Sequence, residues 1–364
     1  MRITFILPIV NMSGGIKVPA IYARALAAQN HTVTLVSPPP ATTPVRRKIK
    51  SWLAGKGWPR NPQSLQSHLD GTGLDHRVLD RFRPVTDSDV PDADIVIATW
   101  WETAEWVHAL SPRKGKKIYF IQGHEIFPNL PVERCHATYR LPLHKIVVSQ
   151  WLKNIMQNQY GDHDTDLVPN GVDHAQFFAP ARGRQSTPTL GFLYSTSFAK
   201  GLNIALKAID AVRSKIPELR LLAFGSMPPT ENLPLPPRTE FSLLPPQDAI
   251  RNIYAECDVW LSASRSEGFN LTAMEAMACR TPVVSTRTGW PEAAIVSGHN
   301  GFLTDIDDAD ALADAILRIL GLNEADWRVM SQHAFETVAD CSWAASAQQF
   351  ERALWKARHQ HLQS

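Results

Sequence analysis

Short apolar runs alternate with amphipathic helical stretches along this chain, and that alternation limits the available folds more than any other feature. "RITFILP" (2–8) reads as a buried strand, "NMSGG" as a glycine turn, residues 15–29 as a helix and "HTVTLVS" (31–37) as a second strand. A helical crossover returns the chain in its original direction, so a strand–helix–strand unit implies a parallel sheet. "ADIVIAT" (93–99), "KKIYFIQ" (116–122) and "HKIVVSQ" (144–150) continue the series at the spacing of a doubly wound sheet.

The series is interrupted at "LVPNGVDHAQF" (167–177), where proline restricts Val168 and Asn170-Gly171 favours a turn. It then restarts. "TLGFLYS" (189–195), "LRLLAFG" (219–225), "DVWLSAS" (258–264) and "PVVST" (282–286) read as strands. Helices are expected at 200–215, within a loop-plus-helix at 241–257, at 271–279, and around 307–320, 324–339 and 344–358. A chain of 364 residues exceeds one ordinary core. The fold class is therefore α/β, with two Rossmann-like, doubly wound domains meeting near residues 170 and 171. Residues 38–92, rich in proline, glycine and positive charge near their start, read as a long excursion. "DHDTD" (162–166) reads as a solvated acidic loop.

Charge and cysteine usage narrow the function. A net charge of +2 argues against a nucleic-acid partner, which calls for a strong basic excess. Four cysteines without a C-x-x-C pair suggest reduced thiols in a cytoplasmic protein. The N-terminal apolar stretch is too short for a signal peptide, and no window approaches the ~20 apolar residues of a spanning helix. "RRKIKSW" (Arg46–Trp52) is a candidate for peripheral contact with anionic lipid or a lipid-linked acceptor, the plain alternative being a solvated face.

The segment "SEGFNLTAMEAMACRTPVV" (266–284) carries the chemistry. Ligands of such sheets bind beyond the carboxyl ends of the strands, where a loop becomes a helix. Here a strand ends at Ser264 and a helix opens near Leu271 with Asn270 as its N-cap. The amides from Leu271 to Ala273 are then open to an anion. Glu267, in the loop, can accept hydrogen bonds from sugar hydroxyls. Glu275, little more than one turn into the helix, leans back toward its start and can hold the vicinal hydroxyls of a ribose. Gly268 lets backbone approach a ligand. Diphosphate, ribose and hexose together describe a nucleotide-diphosphate sugar. The bland alternatives are a surface helix residue for Glu275, a cap or salt bridge for Glu267, and core packing for Trp100 and Trp101, whose other reading is stacking on an acceptor sugar.

At these residues the sequence resembles glycosyltransferase family 4, which has the GT-B fold. The E-x7-E spacing, "VPNGVD" at the hinge, Lys200-Gly201 opening a helix and the Gly14-Gly15 loop occur in the family's order. The resemblance implies a first domain of residues 1–170, completed by a terminal helix at about 344–364, and a donor domain of 171–343. It implies a retaining transfer of a hexose to a saccharide or lipid-linked acceptor. Glu267 would meet the donor sugar, Glu275 the ribose and Lys200 the diphosphate. Gly14 and Gly15 would approach the phosphates from the other domain, and Gly268, Phe269, Asn270 and Leu271 would line the donor site. His124 or Gln122 would stand near the sugar. Ser195 occupies a position where many members carry an arginine, so one expected diphosphate cation is missing, and Arg265 is a candidate substitute. Asn270 stands where glycine is usual and could donate to a sugar hydroxyl. The base is expected near Leu243-Leu244 and the loop after Phe224. No D-x-D follows any of the strands read above, so neither metal nor other cofactor is expected. An epimerase or a non-catalytic sugar-nucleotide binder on the same fold are the alternatives.

Overall fold

The computed structural model describes residues 1–40, Trp52 and 66–363. Apart from Trp52, the Arg46–Trp52 stretch lies outside the described residues. The apolar runs form two separate parallel sheets. The first contains β1 (Arg2–Ile6), β2 (Thr32–Ser37), β3 (Asp75–Val78), β4 (Ile95–Ala98), β5 (Lys116–Ile121), β6 (His144–Val147) and β7 (Asp166–Leu167), in the order β3-β2-β1-β4-β5-β6-β7. The second contains β8 (Thr189–Tyr194), β9 (Arg220–Gly225), β10 (Thr239–Leu243), β11 (Val259–Ser262), β12 (Val283–Thr286) and β13 (Gly301–Thr304), in the order β10-β9-β8-β11-β12-β13. Helices cover both faces, so the central strands are buried on every residue, as in β4 and β11.

Each sheet winds outward from its centre and then jumps back across it. The first reverses between β1 and β4, the second between β8 and β11. A crevice opens at such a reversal, beyond the carboxyl ends of the two strands. Its walls here are the loops leading into the Gly14–Ala28 and Leu271–Ala278 helices.

The lobes are joined twice. Residues 170–172 run beside 341–343, where Val172 donates its N–H to Cys341 O at 3.0 Å. A Cβ on Gly171 would lie 2.3 Å from the carbonyl carbon of Ser342, so only glycine permits this approach. The Trp343–Gln363 helix then returns to the first lobe. There the Phe350 ring stacks on Tyr22, centroids 4.5 Å apart, and meets Phe120 edge-on at 5.0 Å.

Two expectations need correction. Residues 241–243, read as the start of a loop-plus-helix, belong to β10, which pairs in parallel with β9 as an edge strand; it is half-exposed and followed by prolines, so it has no continuous apolar run to betray it. The acidic run 162–166 is not simply solvated. Asp162 is the carboxylate partner of buried Lys145, and Asp166 opens β7 and accepts from His144 at 2.8 Å and Lys356 at 2.7 Å. A buried ammonium at a strand start requires such a partner. Trp101 follows the packing alternative: it is buried beneath the Arg134 guanidinium, 4.8 Å from its ring.

Candidate active site

Lys200 stands at the carboxyl end of β8, in a single 3-10 turn, Phe198–Lys200. The next residue, Gly201, has φ +59°, and a Cβ there would meet Ala263 O at 2.0 Å. The left-handed geometry and the close approach lay this loop on the one after β11, and Arg265 N–H bonds Ala199 O at 2.7 Å. The Lys200 ammonium consequently reaches Glu267, with Nζ to Oε1 at 2.7 Å. Ser264 Oγ donates to the same oxygen at 2.7 Å. Two loops from either side of the β8/β11 reversal thus place a cation against a buried carboxylate.

Gly268 faces the other lobe. A Cβ on it would lie 1.6 Å from Gln122 O, so the backbones of the two lobes touch at this point. The Phe269 ring is buried and stacks on Trp290 at 5.8 Å, shaping the loop from behind. Asn270 has φ 78° and caps the following helix, accepting from Ala273 N–H at 3.3 Å. Its amide group donates one hydrogen to Ser262 Oγ at 2.8 Å. The Ala273 amide is therefore already satisfied. Among the described residues the Leu271 and Thr272 amides have no recorded partner and remain the donors of this helix end.

Glu275 is 7% exposed. Tyr254 donates its hydroxyl to Oε2 at 2.9 Å, and Lys17 of the first lobe approaches Oε1 at 3.3 Å. Burial and the neighbouring Glu275 carboxylate hold the Tyr254 phenol well above its usual range, so it stays a donor. The surface-helix alternative for Glu275 is therefore excluded. Lys17 is not among the residues that the sequence motifs single out. A cation one turn into the helix after a glycine pair was the available signal.

Gly14 and Gly15 open the first-lobe helix without positive φ, and an added Cβ would have nothing within 4 Å at Gly14 and only Ser13 Oγ at 3.8 Å at Gly15. Neither internal packing nor backbone conformation demands glycine here, which leaves the space in front of them open. Gln122 donates to Gly15 O at 3.1 Å. Gly14, Gly15, Lys17, Gln122, Lys200, Glu267 to Thr272 and Glu275 all line one cleft of about 460 Å³.

Two candidate residues stand outside its lining. Ser195 lies at the end of β8, its hydroxyl accepting from Ser197 N–H at 3.3 Å. His124 is buried behind the loop that carries Gln122, its Nε2 2.7 Å from the Tyr160 hydroxyl, which also meets His136 Nδ1 at 2.7 Å. Of the two alternatives for the first-lobe residue in the cleft, the structure presents Gln122. The neighbouring Glu125 is fully buried and accepts the Trp101 N–H at 2.9 Å, fixing the loop from below; burial raises its carboxyl well above the usual range. Arg265, the candidate spare cation, is held by Asp307 at 2.6 Å and by Phe198 O at 3.0 Å.

The buried His124 has a measurable consequence. Burial, reinforced by His136, lowers its pKa from 6.5 to about 4. The unfolded chain therefore binds this proton more readily than the fold does between those values. Stability contributed by the neutral ring is complete above pH 6.5 and is lost as pH falls toward 4. Urea midpoints at pH 7.5 and pH 5 should differ less in His124→Gln than in the wild type. An equal difference would show that another group governs the acid limb.

Two doubly wound lobes whose reversal points share one cleft define the GT-B class. One family model, Glycosyltransferase Family 4, matches residues 18–176, and a second, Glycosyl transferases group 1, matches residues 187–321, one to each lobe. Each lobe of the chain therefore carries a glycosyltransferase domain. Among curated relatives, D-inositol 3-phosphate glycosyltransferase of Corynebacterium urealyticum is 31% identical over 179 residues, 45% of this chain and 42% of that protein. The protein of the same name from Mycolicibacterium smegmatis is 32% identical over 223 residues, 53% of this chain and 49% of that one. The chain thus spans about half the length of the curated relatives it matches. Sucrose-phosphate synthase of Thermosynechococcus elongatus shares the fold with a TM-score of 0.75 at 18% identity, covering 100% of both chains. Anabaena HepE, solved with UDP-glucose, has a TM-score of 0.70 at 17% identity, covering 98% of this chain and 100% of that one.

Proposed function

We propose that the chain is a retaining glycosyltransferase that moves a hexose from a nucleotide-diphosphate sugar to a hydroxyl of a saccharide or lipid-linked saccharide. The observation that carries this reading is the spacing of charge in the cleft. Glu267 with Lys200 stands on one side of the Leu271–Ala278 helix end, and Glu275 lies one turn beyond it. A diphosphate on the Leu271 and Thr272 amides has a ribose beside Glu275 and a sugar beside Glu267. The fold shared with a protein solved with UDP-glucose supports a donor of this class.

In the proposed step the acceptor oxygen attacks the anomeric carbon from the face the diphosphate leaves. The bond to the diphosphate oxygen breaks, and that oxygen takes the acceptor's proton. The products are a glycoside of unchanged anomeric configuration and a nucleoside diphosphate. No side-chain base is required, and the protein's work is positioning and stabilisation of the charge that grows on the leaving group. Lys200 and the helix amides do the second. We propose that they do so without a metal ion.

A thermal-shift screen of UDP-, GDP- and ADP-sugars tests the donor class. The cognate donor should stabilise the fold by about 2.7 kcal/mol at a hundredfold excess over its Kd. Turnover with acceptor should then release nucleoside diphosphate, with the donor's anomeric configuration kept in the product by NMR. An isomerised donor, or no stabilisation by any of the three classes, overturns the reading.

A further inference from the structure

The cleft is balanced in charge before any ligand enters. Among the described residues that line it, the lysine, arginine and carboxylate side chains are Lys17, Lys200, Glu267 and Glu275. They are joined in two pairs, Lys200 with Glu267 at 2.7 Å and Lys17 with Glu275 at 3.3 Å. The first pair lies within the second lobe. The second crosses between lobes, since Lys17 belongs to the Gly14–Ala28 helix.

A nucleotide-diphosphate sugar carries complements to both pairs. Its ribose and sugar hydroxyls suit the carboxylates, and its diphosphate suits the ammonium groups. We infer that Lys17 is a second diphosphate-binding cation, supplied by the first lobe and released from Glu275 when the ribose takes that carboxylate. This rests on the donor assignment above and extends it to a residue the sequence did not indicate.

Three observations support Lys17 in this role. Arg265 is engaged by Asp307 and the Phe198 carbonyl and does not line the cleft, and the Ser195 position supplies no charge, so among the described cleft-lining residues of the second lobe Lys200 is the only lysine or arginine. Lys17 sits in the first turn of a helix, where a cation opposes the macrodipole, so local helix stability does not account for it. Its side chain is only 21% exposed and rests 5.7 Å above the Phe177 ring, directed into the space between lobes rather than to solvent. The exchange also couples donor binding to lobe position. The clasp that opens at Glu275 re-forms through the donor, with the diphosphate bridging a lysine from each lobe.

Calorimetry on the full chain distinguishes a phosphate ligand from a mere clasp. The probes are UDP, GDP and ADP, each with its parent nucleoside. For the diphosphate that binds wild type, Lys17→Met should weaken affinity about 10- to 100-fold, the loss of one charge-assisted hydrogen bond. The parent nucleoside should bind Lys17→Met as well as wild type or better, because Glu275 is then free. Lys17→Arg, which keeps the charge, should recover most of the diphosphate affinity, and salt should weaken wild-type binding more steeply than Lys17→Met. Parallel gains for diphosphate and nucleoside, or no change in either, would make Lys17 a clasp only and overturn the inference while leaving the donor assignment intact. Failure of all three diphosphates to bind wild type would overturn the donor assignment itself, and this inference with it.

Discussion

Lys200→Ala is expected to lower turnover by about 10²–10³-fold, the scale of losing one preorganised donor to a developing oxyanion. The ammonium is held at the reversal point of the second sheet by Gly201 and by the contact between two loops, so it is in place before charge develops. Its present partner, Glu267, keeps the Ser264 hydroxyl when the lysine is removed, so a buried carboxylate is not left bare. The side chain is about one-third exposed, and the fold should melt close to wild type. Donor affinity should fall less than turnover, because the leaving diphosphate gains charge only as the glycosidic bond breaks. Steady-state kinetics with the cognate donor measures the split. A variant with wild-type turnover would remove Lys200 from the chemistry, whatever its contribution to binding.

A single methyl group should produce a comparable loss at Gly268. In the arrangement seen here its Cβ would lie 1.6 Å from Gln122 O and 2.4 Å from the carbonyl carbon, atoms that belong to the opposite lobe's backbone. No rotamer relieves such a clash, so Gly268→Ala must part the lobes. Misplacement by about 1 Å can cost 10²-fold in rate, and a fall of at least that order in kcat/KM is expected. Each lobe's own core is untouched, so secondary structure and melting temperature should change little. Small-angle scattering should show a larger radius of gyration than wild type in the presence of donor. Unchanged activity and scattering would mean that the lobes do not work at the separation seen here.

The parts of the site that could be read in sequence are those built from one continuous segment. Glu267, Asn270, Leu271 and Glu275 follow a strand, loop and helix whose periodicities are plain, and geometry within such a unit is set over a few residues. Partners brought from afar left no comparable trace. Lys17 is 258 positions from Glu275, and nothing in its local pattern names the carboxylate it meets. The choice between Gln122 and His124 depended on which side of one loop turns toward the cleft, and the hydrogen bond to Tyr160 decided it. Nor does the pattern name the partner of one Asn270 amide hydrogen, Ser262, eight residues earlier across the strand end. The edge strands β3, β10 and β13 were missed for a different reason. Short strands at a sheet margin need little apolar surface, so the signal that marked the central strands is weak in them.

The helix that stacks Phe350 on Tyr22 makes the second lobe an insertion within the first. Ribosomes deliver that helix after every strand of the second lobe, so the earlier lobe must wait with Tyr22 and Phe120 uncovered while the later one matures. The order of completion is thus the reverse of the order of synthesis. A nascent chain halted before Trp343 presents an aromatic surface to whatever holds unfinished proteins.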